Sequence, residues 1–123
     1  MKYNTKGLNS LSKQLNEFVK KVGFNRNNIP LIMMLIHSEI SEAFEAFRKD
    51  KFACIAEYKH GKATNFEEDF KTHIKDTFED EIADSIIRLL DLCGFMDIDI
   101  EFHINEKMKF NETRGYKYGN KKF

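Results

Sequence analysis

Apolar residues along this chain recur at helical spacing, and nowhere do they alternate as in a strand. Leu8, Leu11, Leu15, Phe18, Val19 and Val22 form a first helical stripe, and Gly23 is placed to stop it. Asn27 and Asn28 precede Pro30, the only proline, which suits the first turn of a second helix running to about Lys49. The first part of that helix, 30–36, is apolar on all sides and is expected to lie centrally. Its second part is amphipathic, with Ile40, Ala43, Phe44 and Phe47 on one stripe. Residues 50–70 read as a loop or insertion with one or two short helical turns. A third helix is predicted from about Thr72, strongest over 78–92, with Phe78, Ile82, Ile86, Leu89, Leu90 and Cys93 as its stripe and Gly94 as its stop. Asp97 or Asp99 can cap a fourth helix to about Asn111, with Ile100, Ile104 and Met108 on its inner side. The tail 115–123 is expected to be irregular. The fold class is therefore all-α, a helical bundle of four main helices in one domain spanning 1–123.

Composition narrows the functional classes. Lysine plus arginine equals aspartate plus glutamate at 20 each, so no overall field favours nucleic acid or an anionic membrane. Acids dominate 67–101, and 107–122 carries Lys107, Lys109, Arg114, Lys117, Lys121 and Lys122. A basic tail of this kind suits a polyphosphate ligand and equally a solvated terminus. The opening stretch has no apolar run of the signal-peptide kind, and the longest apolar run, 29–36, is too short to span a bilayer. Cys54 and Cys93 lack metal-ligand spacing and read as reduced thiols, so a cytoplasmic location is expected.

The chemistry is concentrated in two pairs, Glu39-x-x-Glu42 and Glu81-x-x-Asp84. Residues three apart on a helix lie about 60° apart around its axis, so each pair points its carboxylates the same way. Charged pairs at this spacing usually sit on solvated faces, but both of these lie beside an apolar stripe. Side-by-side packing of the two helices would bring four anionic groups together. Their repulsion and desolvation are relieved by a hard divalent cation with oxygen ligands, Mg²⁺ first. On the fourth helix Lys107 and Asn111 share a face and Arg114 follows, a set able to bind phosphate oxygens. His37 reads as a core or interface histidine, or as a donor to the acids. Glu57-x-x-His60 has the spacing of half a di-iron site but lacks a second half. His73 is expected to be exposed, and Phe52 or Tyr58 could stack on a base.

The stretches 35–48, 78–90 and 107–114 resemble the MazG-like all-α nucleoside triphosphate pyrophosphohydrolases, and the tail 116–123 is similar to tails in that group. The resemblance covers nearly the whole chain apart from about 50–70. It implies that Glu39, Glu42, Glu81 and Asp84 bind Mg²⁺, with Mn²⁺ as a possible substitute. It implies that Lys107 and Asn111 contact the triphosphate or its metal, with Arg114 beside them as a further phosphate contact on the residue reading above, and that a homodimer or homotetramer forms. The implied reaction is hydrolysis between the α- and β-phosphates of a (deoxy)nucleoside triphosphate, giving a monophosphate and pyrophosphate, in nucleotide-pool control or house-cleaning. Glu39 or Glu42 would also take the proton from the attacking water. Two departures stand out: 38 residues separate Glu42 from Glu81, more than in compact members, and Gly115 stands where relatives often have proline. Substrate identity therefore does not carry over. The competing readings are a non-catalytic metal-binding helical interaction protein that keeps the fold, and a di-iron carboxylate bundle, which the missing histidines disfavour.

Overall fold

Short polar side chains set where the helices begin. The side-chain oxygens of Asn28, Asn65 and Asp99 accept hydrogen bonds from the backbone N–H groups of Leu31, Glu68 and Phe102 at 3.0, 3.1 and 3.0 Å. Thr77 Oγ1 accepts from the Asp80 N–H at 3.3 Å in the same way. Each bond satisfies a donor that the first helical turn leaves without a partner. In the computed structural model, which describes residues 3–24, 27–58 and 65–123, the helices are α1 (Leu8–Lys21), α2 (Ile29–Arg48), α3 (Phe66–His73), α4 (Phe78–Phe95), α5 (Ile100–Glu112) and the single turn α6 (Lys117–Asn120). The described residues contain no strand, so the chain is all-α. None of these helices is long and apolar enough to cross a membrane.

The helix stops follow a common geometry. Gly23 takes a left-handed φ of 88° after α1, as its position predicted. Asp50 and Asp97 do the same work after α2 and α4, at φ 54° and 55°. Beyond them, Lys51 N–H reaches back to the Ala46 carbonyl at 2.8 Å and Ile98 N–H to the Cys93 carbonyl at 2.9 Å. Aspartate tolerates this conformation better than most residues, because its short polar chain makes local hydrogen bonds.

Two expectations about the third predicted helix change. The segment 66–73 is a helix of its own, and the chain turns at 74–77, where Asp76 has φ 63°, before α4 starts at Phe78. No Gly or Pro marks that break, so periodicity alone ran the two together. Gly94 lies inside α4 and does not stop it. Its role is contact: a Cβ there would collide with the backbone carbonyl of Ser12 and come within 2.9 Å of the Asn16 Cβ on α1. Gly94→Ala is accordingly expected to force α1 away and cost on the order of 1–3 kcal/mol, read as a lower denaturation midpoint. Unchanged stability would show that the two helices do not approach as described. The tail is irregular apart from α6.

The chain divides into two compact units, 1–24 with 90–123, and 25–89. In the first, Asn105 Nδ2 on α5 donates to Thr5 Oγ1 at 2.7 Å. Asn9 N–H on α1 donates to Glu101 Oε2 at 2.9 Å, and Glu101 N–H returns a bond to Asn9 Oδ1 at 3.2 Å. Asp99 is therefore the α5 cap, and the most buried α5 side chain is Asn105; Ile100, Ile104 and Met108 are only half-buried. In the second unit, the 51–54 segment is tied down by Phe78 N–H to the Lys51 carbonyl (2.8 Å), Cys54 N–H to the His73 carbonyl (3.1 Å) and Ala53 N–H to Glu79 Oε1 (2.9 Å). Phe47, Phe52 and Phe78 stack edge-to-face above it, with centroids 5.6–6.0 Å apart. Within the stretch expected to be a loop with one or two short helical turns, residues 51–58 are irregular with one turn at 55–57, 59–64 lie outside the described residues, and 66–70 belong to α3.

The apolar stripes do not form a large core within one chain. Among the described residues, Ile36, Ala43 and Ala46 are the buried apolar residues of α2, and Leu90 and Leu92 those of α4. Ile40, Phe44 and Phe47 on α2 and Ile82, Ile86 and Leu89 on α4 are exposed, as are Leu31, Met33, Met34 and Leu35 in the part of α2 expected to be central. On α1 the buried residues are Ser12 and Asn16, while Leu11, Phe18 and, just past its end, Val22 are exposed. Helical periodicity identifies an apolar face but not what covers it.

Candidate metal centre

The inward face of the first three turns of α4 is polar. Glu81 and Ser85 are buried and Arg88 half-buried, at the i, i+4, i+7 spacing that puts them on one side. Ser85 Oγ donates to the Glu81 carbonyl at 2.9 Å, so the hydroxyl is satisfied within its own helix. Glu81 is only 6% exposed, close to what would be expected of a leucine at such a position. Glu39 on α2 meets it there, with its side chain 13% exposed.

Glu39, Glu81 and Asp84 each offer a carboxylate oxygen, and these atoms all lie within 4.8 Å of one another. Glu42 is exposed at the edge of this group and hydrogen-bonds both Glu39 and Glu81. The four acids singled out in the sequence are thus neighbours, on two helices of the same unit.

Their electrostatics follow from crowding. Burial, then a hydrogen bond to Glu39 and the charges of Glu42, Glu39 and Asp84, push the Glu81 carboxyl up to about 7. The hydrogen bond with Glu39 raises Glu42, with burial adding to it. Burial raises Asp84, and the Glu39 charge adds to it, with Arg88 acting in the opposite sense. Four carboxyls crowded around a buried Glu81 keep a proton near neutral pH because full ionisation is too costly. A divalent cation with oxygen ligands is the alternative partner, and three convergent carboxylates, one of them buried, fit it.

One cation already stands beside the acids. Arg88 Nε donates to Glu39 Oε1 at 2.9 Å. The motifs did not single out Arg88, although a signal was present: it lies four residues after Asp84 and seven after Glu81, on their face of the helix. A second acidic group, Asp76, Asp80 and Glu81, was also missed, because Asp76 comes close only through the turn before α4. Its oxygens are partly engaged: Asp76 Oδ2 takes Lys75 Nζ at 3.0 Å, and Asp80 Oδ2 takes the Asp76 N–H at 2.9 Å.

Lys107, Asn111 and Arg114 belong to the other unit. There Lys107 Nζ and the Arg114 guanidinium lie 5.3 and 5.7 Å from the centroid of the Phe110 ring, so the two cations share one aromatic face-contact residue at the end of α5. Asn111 Nδ2 contacts Met108 Sδ at 3.8 Å, and its buried Oδ1 has no hydrogen-bond partner among the described residues. His37 is exposed in the single chain, which overturns the core alternative of its reading and leaves the interface and donor alternatives. His73, expected to be exposed, is only 18% exposed and stands 3.6 Å from both Glu57 and Asp69. His60 lies outside the described residues. Cys54 and Cys93 are free thiols, and burial raises the Cys93 thiol.

No protein-family model, curated protein or solved structure matches the chain.

Proposed function

We propose that this protein is a Mg²⁺-dependent pyrophosphohydrolase of the MazG-like type, cleaving a (deoxy)nucleoside triphosphate between its α- and β-phosphates. The observation that carries the proposal is the convergence of Glu39, Glu81 and Asp84 from two helices onto a point where their oxygens lie within 4.8 Å. Burial of Glu81 in that cluster has no evident benefit for packing, since a carboxyl there costs free energy that an apolar side chain would not. Support lies entirely within residues 25–89.

Glu39, Glu81 and Asp84 would hold the ion. Bound Mg²⁺ would neutralise charge on the phosphate oxygens and lower the pKa of a coordinated water. Glu42 is the member best placed for proton transfer, being exposed where water can reach it yet hydrogen-bonded to two of the others. Its raised pKa brings it closer to the range in which a carboxylate accepts a proton usefully. Purified protein incubated with a nucleotide panel and Mg²⁺ should release pyrophosphate. Glu42→Gln should lower turnover by about 10²–10⁴-fold while leaving Mg²⁺ affinity within a few-fold. Glu39→Gln should lower both. Turnover unchanged in both variants, or no pyrophosphate from any nucleotide, would remove the reading.

The exposed stripes on α2 and α4 are read as the surface that a second copy of the chain covers, completing the bundle as a homodimer or homotetramer. Ile40, Phe44 and Phe47 follow one another at helical spacing and are 51–62% exposed in a single chain. Contiguous apolar surface of this kind is uncommon on monomers.

A further inference from the structure

We propose that Arg88 is a positioning residue for Glu39 and, through the rest of its guanidinium, a phosphate contact in the same site. The inference rests on the Mg²⁺-nucleotide reading above and assigns a role to a residue that neither motif contains.

Three observations support it. Arg88 engages Glu39 through Nε and through one carboxylate oxygen only, at 2.9 Å. An arginine presents five N–H donors in a planar fork, so one bond uses a single donor and leaves the terminal nitrogens. Those nitrogens make no hydrogen bond or ion pair with any described residue, and the side chain is 43% exposed. The guanidinium is therefore anchored at one edge and open at the other, beside three carboxylates whose oxygens converge. A structural salt bridge would be expected to use both oxygens of the carboxylate in the bidentate manner and to shield the pair from water.

The arrangement has consequences of opposite sign for the two halves of a metal–phosphate ligand. Toward a bare cation, Arg88 is a fixed positive charge and a competitor for Glu39, so it weakens binding. Toward a phosphate bridging to that cation, it supplies charge-assisted donors and strengthens binding. By holding Oε1 it also fixes the Glu39 carboxylate so that its other oxygen is the one left for a metal. An empty site would then be poorly occupied by the ion alone and well occupied by ion and phosphate together.

The test compares wild type, Arg88→Gln and Arg88→Lys by isothermal titration, first with Mg²⁺ alone and then with inorganic pyrophosphate at saturating Mg²⁺. Arg88→Gln should bind Mg²⁺ about threefold to tenfold more tightly and pyrophosphate at least about tenfold more weakly. Arg88→Lys, which keeps the charge but not the fork, should bind Mg²⁺ as wild type does and recover part of the pyrophosphate affinity. If wild type binds Mg²⁺ but Arg88→Gln weakens both ligands together, the inference is wrong and the metal reading stands. If Arg88→Lys matches Arg88→Gln in both titrations, the effect is not one of charge and the inference is again wrong. A wild type that binds neither ligand overturns the metal reading and this inference with it.

Discussion

Glu81→Gln is expected to make the metal-free protein more stable at pH 8 and to abolish its response to Mg²⁺. The first effect follows from linkage. Glu81 holds its proton up to about pH 7 in the folded chain and would lose it near 4.5 when unfolded. Between those values the folded state binds more protons, so the stabilisation present below pH 4.5 is lost as pH rises through 7. Glu42 and Asp84 are raised in the same direction and add to the trend. An amide cannot ionise, so at pH 8 the variant avoids a penalty on the order of 1–3 kcal/mol, visible as a melting point several degrees higher. The second effect follows from the same proton. Mg²⁺ must displace it, so wild-type affinity should rise about tenfold from pH 6 to pH 8 and level off above. If Glu81 holds the ion as proposed, Glu81→Gln removes a buried ligand charge, and neither a Mg²⁺-induced rise in melting temperature nor the proposed hydrolysis should survive. Melting curves at pH 5, 6.5 and 8, with and without Mg²⁺, check all of this. A wild type that grows steadily more stable between pH 5 and 7.5 without metal would contradict the crowded, desolvated cluster.

Phe44→Asp is expected to have the second large effect, turning an assembly into single chains. Phe44 is 62% exposed in one chain, so an aspartate there costs almost nothing if that surface faces water. Buried against a second copy, each phenylalanine contributes about 1.5–3 kcal/mol, and a buried unpaired carboxylate adds a further penalty. Ile86→Asp on α4, at 52% exposure, provides a second probe of the same kind. Light scattering coupled to size exclusion should find two or four 14.5 kDa chains for wild type and one for the variants. The wild-type melting point should also rise with protein concentration, as mass action requires. A wild type that runs as one chain at tens of micromolar would mean that nothing of its own kind covers these stripes.

The sequence made plain those features whose causes are local. Gly23 ends α1 and Asn28 with Pro30 opens α2 because capping depends on a few neighbouring residues. The four acids could be grouped because helical spacing fixes which side chains share a face. What escaped depends on neighbours distant in sequence. Gly94 resembles a helix stop until Ser12 is known to lie against it, and the real stop is Asp97, a residue with weaker preference for that conformation. The turn at 74–77 carries no Gly or Pro, and it brings Asp76 toward Glu81 without any motif to announce it. Arg88 was hidden differently: one arginine on an amphipathic helix is unremarkable until its partner on α2 is identified. Apolar stripes on α2 and α4 were legible as stripes, but the pattern is the same whether a face turns toward its own chain or another.

The most direct measurement is a Mn²⁺ titration of the isotope-labelled protein, following paramagnetic broadening of each backbone amide. Mn²⁺ takes the same oxygen ligands as Mg²⁺ and broadens signals only within a short radius. The signals of Glu39, Glu42, Glu81, Asp84 and Arg88 and their immediate neighbours should disappear first, at substoichiometric Mn²⁺, and return when Mg²⁺ is added in excess. Broadening centred elsewhere, or amides of α2 and α4 that stay sharp at stoichiometric Mn²⁺, would contradict a shared cation between the two helices.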